Sequence, residues 1–268
     1  MSPLGMPRRS ILAASIMTFA GLTACADEPV ADMHITRFAA VSAPDRAAAL
    51  LAVSQGIDYA RAALAMAELD SVNGCPAVVR EPRDQRVTFT APPGGCRGQT
   101  TGTTYHGVAV AVNAPAGGEG GASPLPASPM SLRFTDFRLE AGGDRLALHG
   151  SILQTVAEPT GAYDVQLWPL EFGLNGGTVT IPQMVLDCAM LPGTGRHGCA
   201  SPNGARGQLA DGSEFVIVVD VQNGDDGPAG FVELRGEDTL RVDFVTRDAE
   251  GCLPYRIDGV EAGKLCAP

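Results

Sequence analysis

Short segments in which apolar and polar residues alternate fill most of the chain beyond residue 85. Glycine, proline and Asn-Gly pairs separate these segments at the short intervals that β-hairpin turns require. Because neighbouring side chains of a strand point to opposite faces, the alternation predicts antiparallel strands with one buried face. The predicted strands cover 86–90, 105–110, 132–137, 145–149, 162–168, 177–186, 214–221, 230–235, 239–246 and 254–258.

One long helix is predicted ahead of the strands. Ser42 is a suitable N-cap, Pro44 suits the first turn, and an alanine-rich stretch runs to Leu69 before Asn73-Gly74 supplies a stop. Apolar residues recur at three- and four-residue spacing and form one stripe: Leu50, Val53, Ile57, Ala60 and Leu64. The stripe predicts packing against the sheet, and a helix that binds a partner protein is the alternative.

The order of these elements predicts an α+β fold. We expect one long N-terminal helix packed on a curved antiparallel β-meander, either an open barrel or a large sheet, held by disulfides. Residues 44–268 are predicted to form a single domain. Within it, 113–129 is expected to be a flexible loop because its Gly- and Pro-rich composition can bury little, and 191–213 a smaller Gly-rich loop.

The first residues have the pattern of a secretory signal peptide. Arg8 and Arg9 precede an apolar run that ends near Leu22, too short for a stable membrane-spanning helix. The paired arginines also resemble a twin-arginine signal, which leaves the export route open.

The sequence Leu22-Thr23-Ala24-Cys25 resembles the lipobox of bacterial lipoproteins. This resemblance implies a signal peptide at 1–24, a lipid such as palmitate on Cys25, and a tether at 25–43. An ordinary signal peptide or an uncleaved anchor are the alternatives. The residue after the cysteine, Ala26, favours the outer membrane under the sorting rule of enteric bacteria. The segment beyond the anchor is similar to uncharacterised Gly-rich lipoproteins whose local cysteine pairs punctuate β-hairpins, which implies a fold style and no activity.

Removal of residues 1–24 leaves 17 basic and 30 acidic residues, a charge near −13. A strongly acidic chain repels polyanions, so nucleic acid is not an expected partner. The expected contacts are the membrane, through the lipid on Cys25, and an envelope protein or a lipid. Nothing in the sequence indicates a cofactor.

Six cysteines remain when Cys25 is assigned to the lipid. An even number in an exported chain predicts disulfides, and six allow about fifteen connectivities. Their clustering favours three local pairs, and metal binding or reactive thiols are the alternative. The predicted pairs are Cys75–Cys96, Cys188–Cys199 and Cys252–Cys266.

The densest group of oxygen ligands is Asp220, Asn223, Asp225 and Asp226. Calcium prefers oxygen ligands, which makes this group a weak candidate for a calcium site. Its spacing departs from the EF-hand pattern, and Asn-Gly and Asp-Gly favour a hairpin turn, which is the preferred prediction.

No sequence motif identifies a catalytic residue. The chain lacks a Gly-x-Ser-x-Gly elbow and a His-Glu-x-x-His pair, and its histidines are scattered at positions 34, 106, 149 and 197. Only His106 and His149 could meet, if they lay on neighbouring strands. We therefore expect a non-catalytic envelope lipoprotein with a binding or structural role. The alternative is a carrier of lipids or lipoproteins with an apolar cavity between helix and sheet; an enzyme is the weakest option.

The lipobox makes a direct prediction about anchoring. Cys25→Ser removes the thiol that accepts the lipid, so labelled palmitate should not be incorporated and the protein should move to the soluble fraction. Each acyl methylene contributes about 0.8 kcal/mol to membrane binding, so the shift should be nearly complete. Thr23→Ser keeps a small residue in the lipobox and should behave like the original protein. A Cys25→Ser protein that stays in the membrane fraction would instead indicate an uncleaved N-terminal anchor.

Overall fold

The computed structural model describes eight stretches of the chain, and all of them belong to one compact unit, Met33–Pro268. Among them, no helix is both long and apolar enough to cross a membrane. The predicted signal peptide, Cys25, Cys266 and residues 114–129 of the predicted loop lie outside them. The described stretches are 34–113, 130–155, 162–190, 197–201, 204–224, 227–244, 247–249 and 251–265.

The described stretches of this unit contain a short 3₁₀ turn, one α-helix and fifteen strands. The turn is Phe38–Ala40 and the helix, α1, is Ala43–Ser71. The strands are β1 (Ala77–Glu81), β2 (Arg86–Thr90), β3 (Cys96–Arg97), β4 (Thr104–Val112), β5 (Met130–Ala141), β6 (Asp144–Gln154), β7 (Ala162–Leu174), β8 (Gly177–Met190), β9 (His197–Ala200), β10 (Ala205–Leu209), β11 (Glu214–Gly224), β12 (Gly227–Arg235), β13 (Thr239–Asp243), β14 (Leu253–Ile257) and β15 (Val260–Leu265).

The strands form one antiparallel sheet, which confirms the predicted α+β class. Its order follows the chain, with β3 and β9 beside the main path: β1-β2-β4-β5-β6-β7-β8-β10-β11-β12-β13-β14-β15. Tight turns make this meander possible. Asn175-Gly176 connects β7 to β8 and Asp258-Gly259 connects β14 to β15, and all four residues have the positive φ that a type I′ hairpin turn requires.

The predicted Gly-rich loop at 191–213 is partly wrong, because β9 and β10 lie within it. Both strands are too short to show a clear alternation in sequence. Strand β9 pairs with β8, which places Cys188 opposite Cys199, and the two form a disulfide. A second disulfide joins Cys75 to Cys96. Cys252 is also disulfide-bonded, and its pairing with Cys266 stays a prediction.

The start of the folded unit differs from the predicted boundary at residue 44. Ile35 forms a parallel bridge with Glu214, and Phe38 is completely buried with its ring 5.5 Å from that of Phe215. The Asp238 carboxylate accepts hydrogen bonds from the backbone N–H groups of Phe38 and Ala39, at 2.6 and 2.8 Å. Residues 34–43 are therefore part of the fold and not of a tether. Residues 25–33 lie outside the described stretches.

Helix α1 begins as predicted and is buried more completely than predicted. Ser42 is the N-cap, and its hydroxyl accepts a hydrogen bond from the Asp45 backbone N–H. Six consecutive residues, 48–53, are buried. Since successive helical residues point about 100° apart, burial of a run this long requires neighbours on every side of the helix. The single stripe of the sequence is therefore only one of several buried faces.

The C-terminal end of α1 is fixed by a buried carboxylate, that of Asp70. It accepts hydrogen bonds from the backbone N–H of Thr100 and of Thr101, at 2.7 and 2.9 Å, and from the hydroxyl of Tyr105 at 2.8 Å. The Thr101 hydroxyl donates another. Burial opposes the charge on Asp70, but these hydrogen bonds more than compensate and the pKa of its carboxyl lies below the ordinary 3.8. Tyr105, buried against this carboxylate, has its pKa raised to about 12.

Asp70→Asn should destabilise the fold by about 2–3 kcal/mol, because donors arranged around a carboxylate would face a neutral amide. The depressed pKa also gives a pH signature. The stabilisation by the Asp70 carboxylate is complete above its pKa in the unfolded chain, near 3.8. It is lost as the pH falls through the lower pKa that Asp70 has in the folded protein. Urea unfolding from pH 7 down to pH 2 should therefore show the two proteins converging only below about pH 4. Asp84→Asn, at an exposed turn position, is the control. Equal stability of the Asp70→Asn protein and the original at pH 7 would contradict this account.

Candidate functional site

A recess beside helix α1, which we call the apolar cleft, has a volume of about 750 Å³. Helix α1 forms one wall of it. The ends of β5, β6 and β7 form a second wall, and β14 and β15 form a third. Its lining is mostly aliphatic and aromatic, and includes Leu51, Met66, Leu139, Leu146, Leu174 and Tyr255.

Small side chains on the helix leave this space open. Ala43, Ala47, Ala62 and Ala63 all contribute to the helix wall, and a methyl group cannot span the gap between a helix and a sheet. Ala47, Ala62 and Ala63 lie well away from the stripe Leu50–Leu64 around the helix, because successive helical residues are turned by about 100°. The same alanines that favour the helix in sequence therefore also create the cleft.

Polar groups are confined to part of the cleft wall. The Asn175 side-chain amide donates a hydrogen bond to Asp144 at 3.0 Å, and its carbonyl accepts one from the Arg145 backbone N–H at 2.8 Å. Two cations also lie there: Arg145, paired with Glu140 at 3.3 Å, and Lys264, paired with Asp248 at 2.7 Å.

Two tyrosines add aromatic surface to the cleft. The ring of Tyr59 meets that of Phe172 edge to face at 5.7 Å. Burial raises the pKa of the Tyr59 hydroxyl and the charge of Asp144 raises it further, so Tyr59 is neutral at physiological pH. Tyr255 is 2% exposed, and the Arg46 guanidinium lies 5.9 Å from the centre of its ring. The cleft thus combines an extended apolar wall with a few polar groups, which is the chemistry of a site for an amphiphilic molecule.

The predicted oxygen cluster has the backbone of a hairpin. Asp220 and Asn223 lie on β11, which pairs with β12 as far as Gly224 opposite Gly227. Asp225 and Asp226 lie outside the described residues, so calcium binding there stays untested. Among the described residues, no group of three or more His, Cys, Asp or Glu side chains could hold a metal ion.

Among the described residues, His106 and His149 do not form a pair. His106 lies on β4 and His149 on β6, with β5 between them, so the neighbouring strands that such a pair would need are not present. The His149 ring contacts Asp136 at 3.3 Å, both at exposed positions. Ser151 follows on the same strand, but its hydroxyl donates to the carbonyl of Trp168. The geometry gives His149 no activated nucleophile at Ser151.

Sequence reasoning identified the helix that lines the cleft but missed the small helix residues that leave the cleft open. A usable signal was present. Alanines at 43, 47, 62 and 63, with Leu51 and Met66, form a face of small and flexible residues that a core-packing helix would normally fill with larger ones.

Comparison of the chain with protein-family models, with curated proteins and with solved structures gave no match in any of the three.

Proposed function

We propose that this chain is a non-catalytic binding protein of the bacterial cell envelope, anchored to the outer membrane by the lipid on Cys25, that holds the apolar chain of an amphiphile in the cleft between α1 and the sheet. The observation that carries the proposal is the apolar cleft of about 750 Å³. Ligand pockets in proteins usually have volumes of about 300–1,000 Å³.

An aliphatic ligand matches the lining of the cleft better than any other class. Its wall presents methyl, methylene and aromatic groups to solvent. Covering them with a ligand contributes about 25 cal/mol of binding free energy per Å² of apolar surface buried. The cations Arg145 and Lys264 lie beside this apolar surface, where an anionic or zwitterionic head group could reach them. The lipid on Cys25 would hold the cleft near a membrane, the natural source of such amphiphiles.

The proposed fold behind this function is a sheet curved around α1 as an open barrel. Burial of residues 48–53 on every side of the helix supports it, as does the arrangement of the cleft, whose walls come from the middle of the strand order and from its last two strands. A curved sheet can surround a helix and still leave a space along one side of it.

The test uses residues 26–268 produced in an oxidising periplasm. Native mass spectrometry should reveal a lipid-mass adduct that is released on denaturation. The apolar dye 1-N-phenylnaphthylamine should bind the delipidated protein with increased fluorescence and should compete with a phospholipid.

Ala62→Phe provides the matched variant. Ala62 is exposed and lines the cleft, so a phenyl group there should occupy ligand space without disturbing the core. Its dye affinity should fall about tenfold with little change in melting temperature. Ala210→Phe adds the same group at an exposed turn away from the cleft and should bind like the original. Absence of any adduct together with equal dye binding by the three proteins would support a structural or protein-binding role instead.

A further inference from the structure

A second cavity lies beside the middle of α1. Its volume is about 380 Å³, and it lies between helix residues 52–61 and strands of the sheet. This cavity, which we call the arginine pocket, shares no lining residue with the apolar cleft. It takes its name from Arg61, which lines it with Gln154, Tyr163 and an apolar set of side chains: Val165, Leu167, Leu186 and Phe244.

Arg61 lacks the anionic partner that a half-buried arginine normally has. Within the part of the chain that the structure describes, it forms no ion pair with a carboxylate, whereas Arg241 and Arg256 do. Arg46 also lacks an ion pair there, but its guanidinium lies over the ring of Tyr255. Its guanidinium donates one hydrogen bond within the described residues, to the neutral side-chain carbonyl of Gln154. The Nε atom of Arg61 is buried and has no hydrogen-bond partner. An unpaired donor on a buried charge costs free energy, which a bound anion would recover.

Gln154 points to the same conclusion. It is 4% exposed, near the end of β6, and only its carbonyl oxygen is used, by Arg61. Its NH₂ group donates no hydrogen bond within the described stretches. Tyr163 adds a hydroxyl that burial keeps neutral: the pKa of Tyr163 is raised by desolvation, against the lowering effect of Arg61.

We infer that the arginine pocket binds a carboxylate that carries an apolar body. The guanidinium fork of arginine matches the two oxygens of a carboxylate, and Gln154 can donate a third hydrogen bond. Arg61 is the one cation among the described lining residues, and Asp58, one turn earlier on the helix, lines the pocket as well. Its negative charge disfavours a phosphate dianion and leaves a monoanion as the better match. The aliphatic and aromatic part of the lining would cover the rest of the ligand.

The size of the pocket limits the ligand to a small acid. At about 30 Å³ per water molecule, 380 Å³ corresponds to about thirteen waters, which is enough space for the eight carbon and two oxygen atoms of octanoate. A short fatty acid and an aromatic acid would both meet these requirements. This site does not depend on the apolar cleft, and either one could exist without the other.

Titration with octanoate, followed by methyl NMR, tests the inference. The methyl groups of Val165 and Leu186 report on the arginine pocket and that of Met66 reports on the cleft, so binding at the two sites is distinguished. Octanoate should shift the Val165 and Leu186 signals, and Arg61→Gln should weaken this binding about tenfold or more. Arg133→Gln, the same charge change at an exposed position of β5, should leave it within about twofold. Neutral 1-octanol should bind both variants equally.

Gln154→Glu provides a second test that does not rely on removing the cation. The new carboxylate would occupy the place of the ligand, so octanoate binding should be lost and the melting temperature should rise. The inference is overturned if millimolar octanoate leaves the Val165 and Leu186 signals unchanged. It is also overturned if either the Arg61→Gln or the Gln154→Glu protein binds octanoate as tightly as the original protein. Sodium phenylacetate is a second probe. Whichever of octanoate and phenylacetate binds more tightly shows whether the pocket prefers an aliphatic or an aromatic acid.

Discussion

The fold depends on the burial of one helix by one sheet. Because α1 is the only α-helix in the described residues, the inner faces of the strands have no other helix to cover them. Phe172, Ile181, Ile217, Val232 and Leu240 are fully buried together with helix residues in one hydrophobic cluster. Loss of the helix would expose this cluster to water. The two ends of α1 are therefore fixed strongly, by the Ser42 cap with the Phe38 anchor before it and by the Asp70 carboxylate after it.

Packing of the helix against the sheet restricts which side chains the helix can carry. Where the sheet approaches closely, only small residues fit: Ala48, Ala49, Ala60 and Ala67 are almost completely buried. Where the sheet lies further away, alanines leave space, and the apolar cleft results. Alanine residues therefore allow close packing on one face of α1 and leave an open cleft on another. The distance to the sheet decides between them, and the helix sequence alone does not contain that distance.

This explains which features could be predicted. The N-cap at Ser42, the helix and most strands follow from local patterns, since capping and alternation are properties of neighbouring residues. The role of Phe38 and the partners of Asp70 depend on contacts with residues far along the chain, Phe215 and Tyr105 among them. The arginine pocket was missed for the same reason. Nothing in the local sequence distinguishes Arg61, and its partner Gln154, 93 residues away, is brought next to it only by the fold.

The electrostatics of the chain make the two recesses more selective than their shapes alone. A chain with a formal net charge of −11 repels anions in general, so an anionic ligand needs a local cation that overcomes this field. On the outer part of the sheet most arginines are neutralised by carboxylates, as Arg241 is by Glu233 and Asp243. Arg61 keeps its charge unpaired inside a cavity, where the lower dielectric strengthens its attraction for an anion. Within the described residues, the proposed carboxylate would be attracted to this cation only where its apolar body also gains from burial.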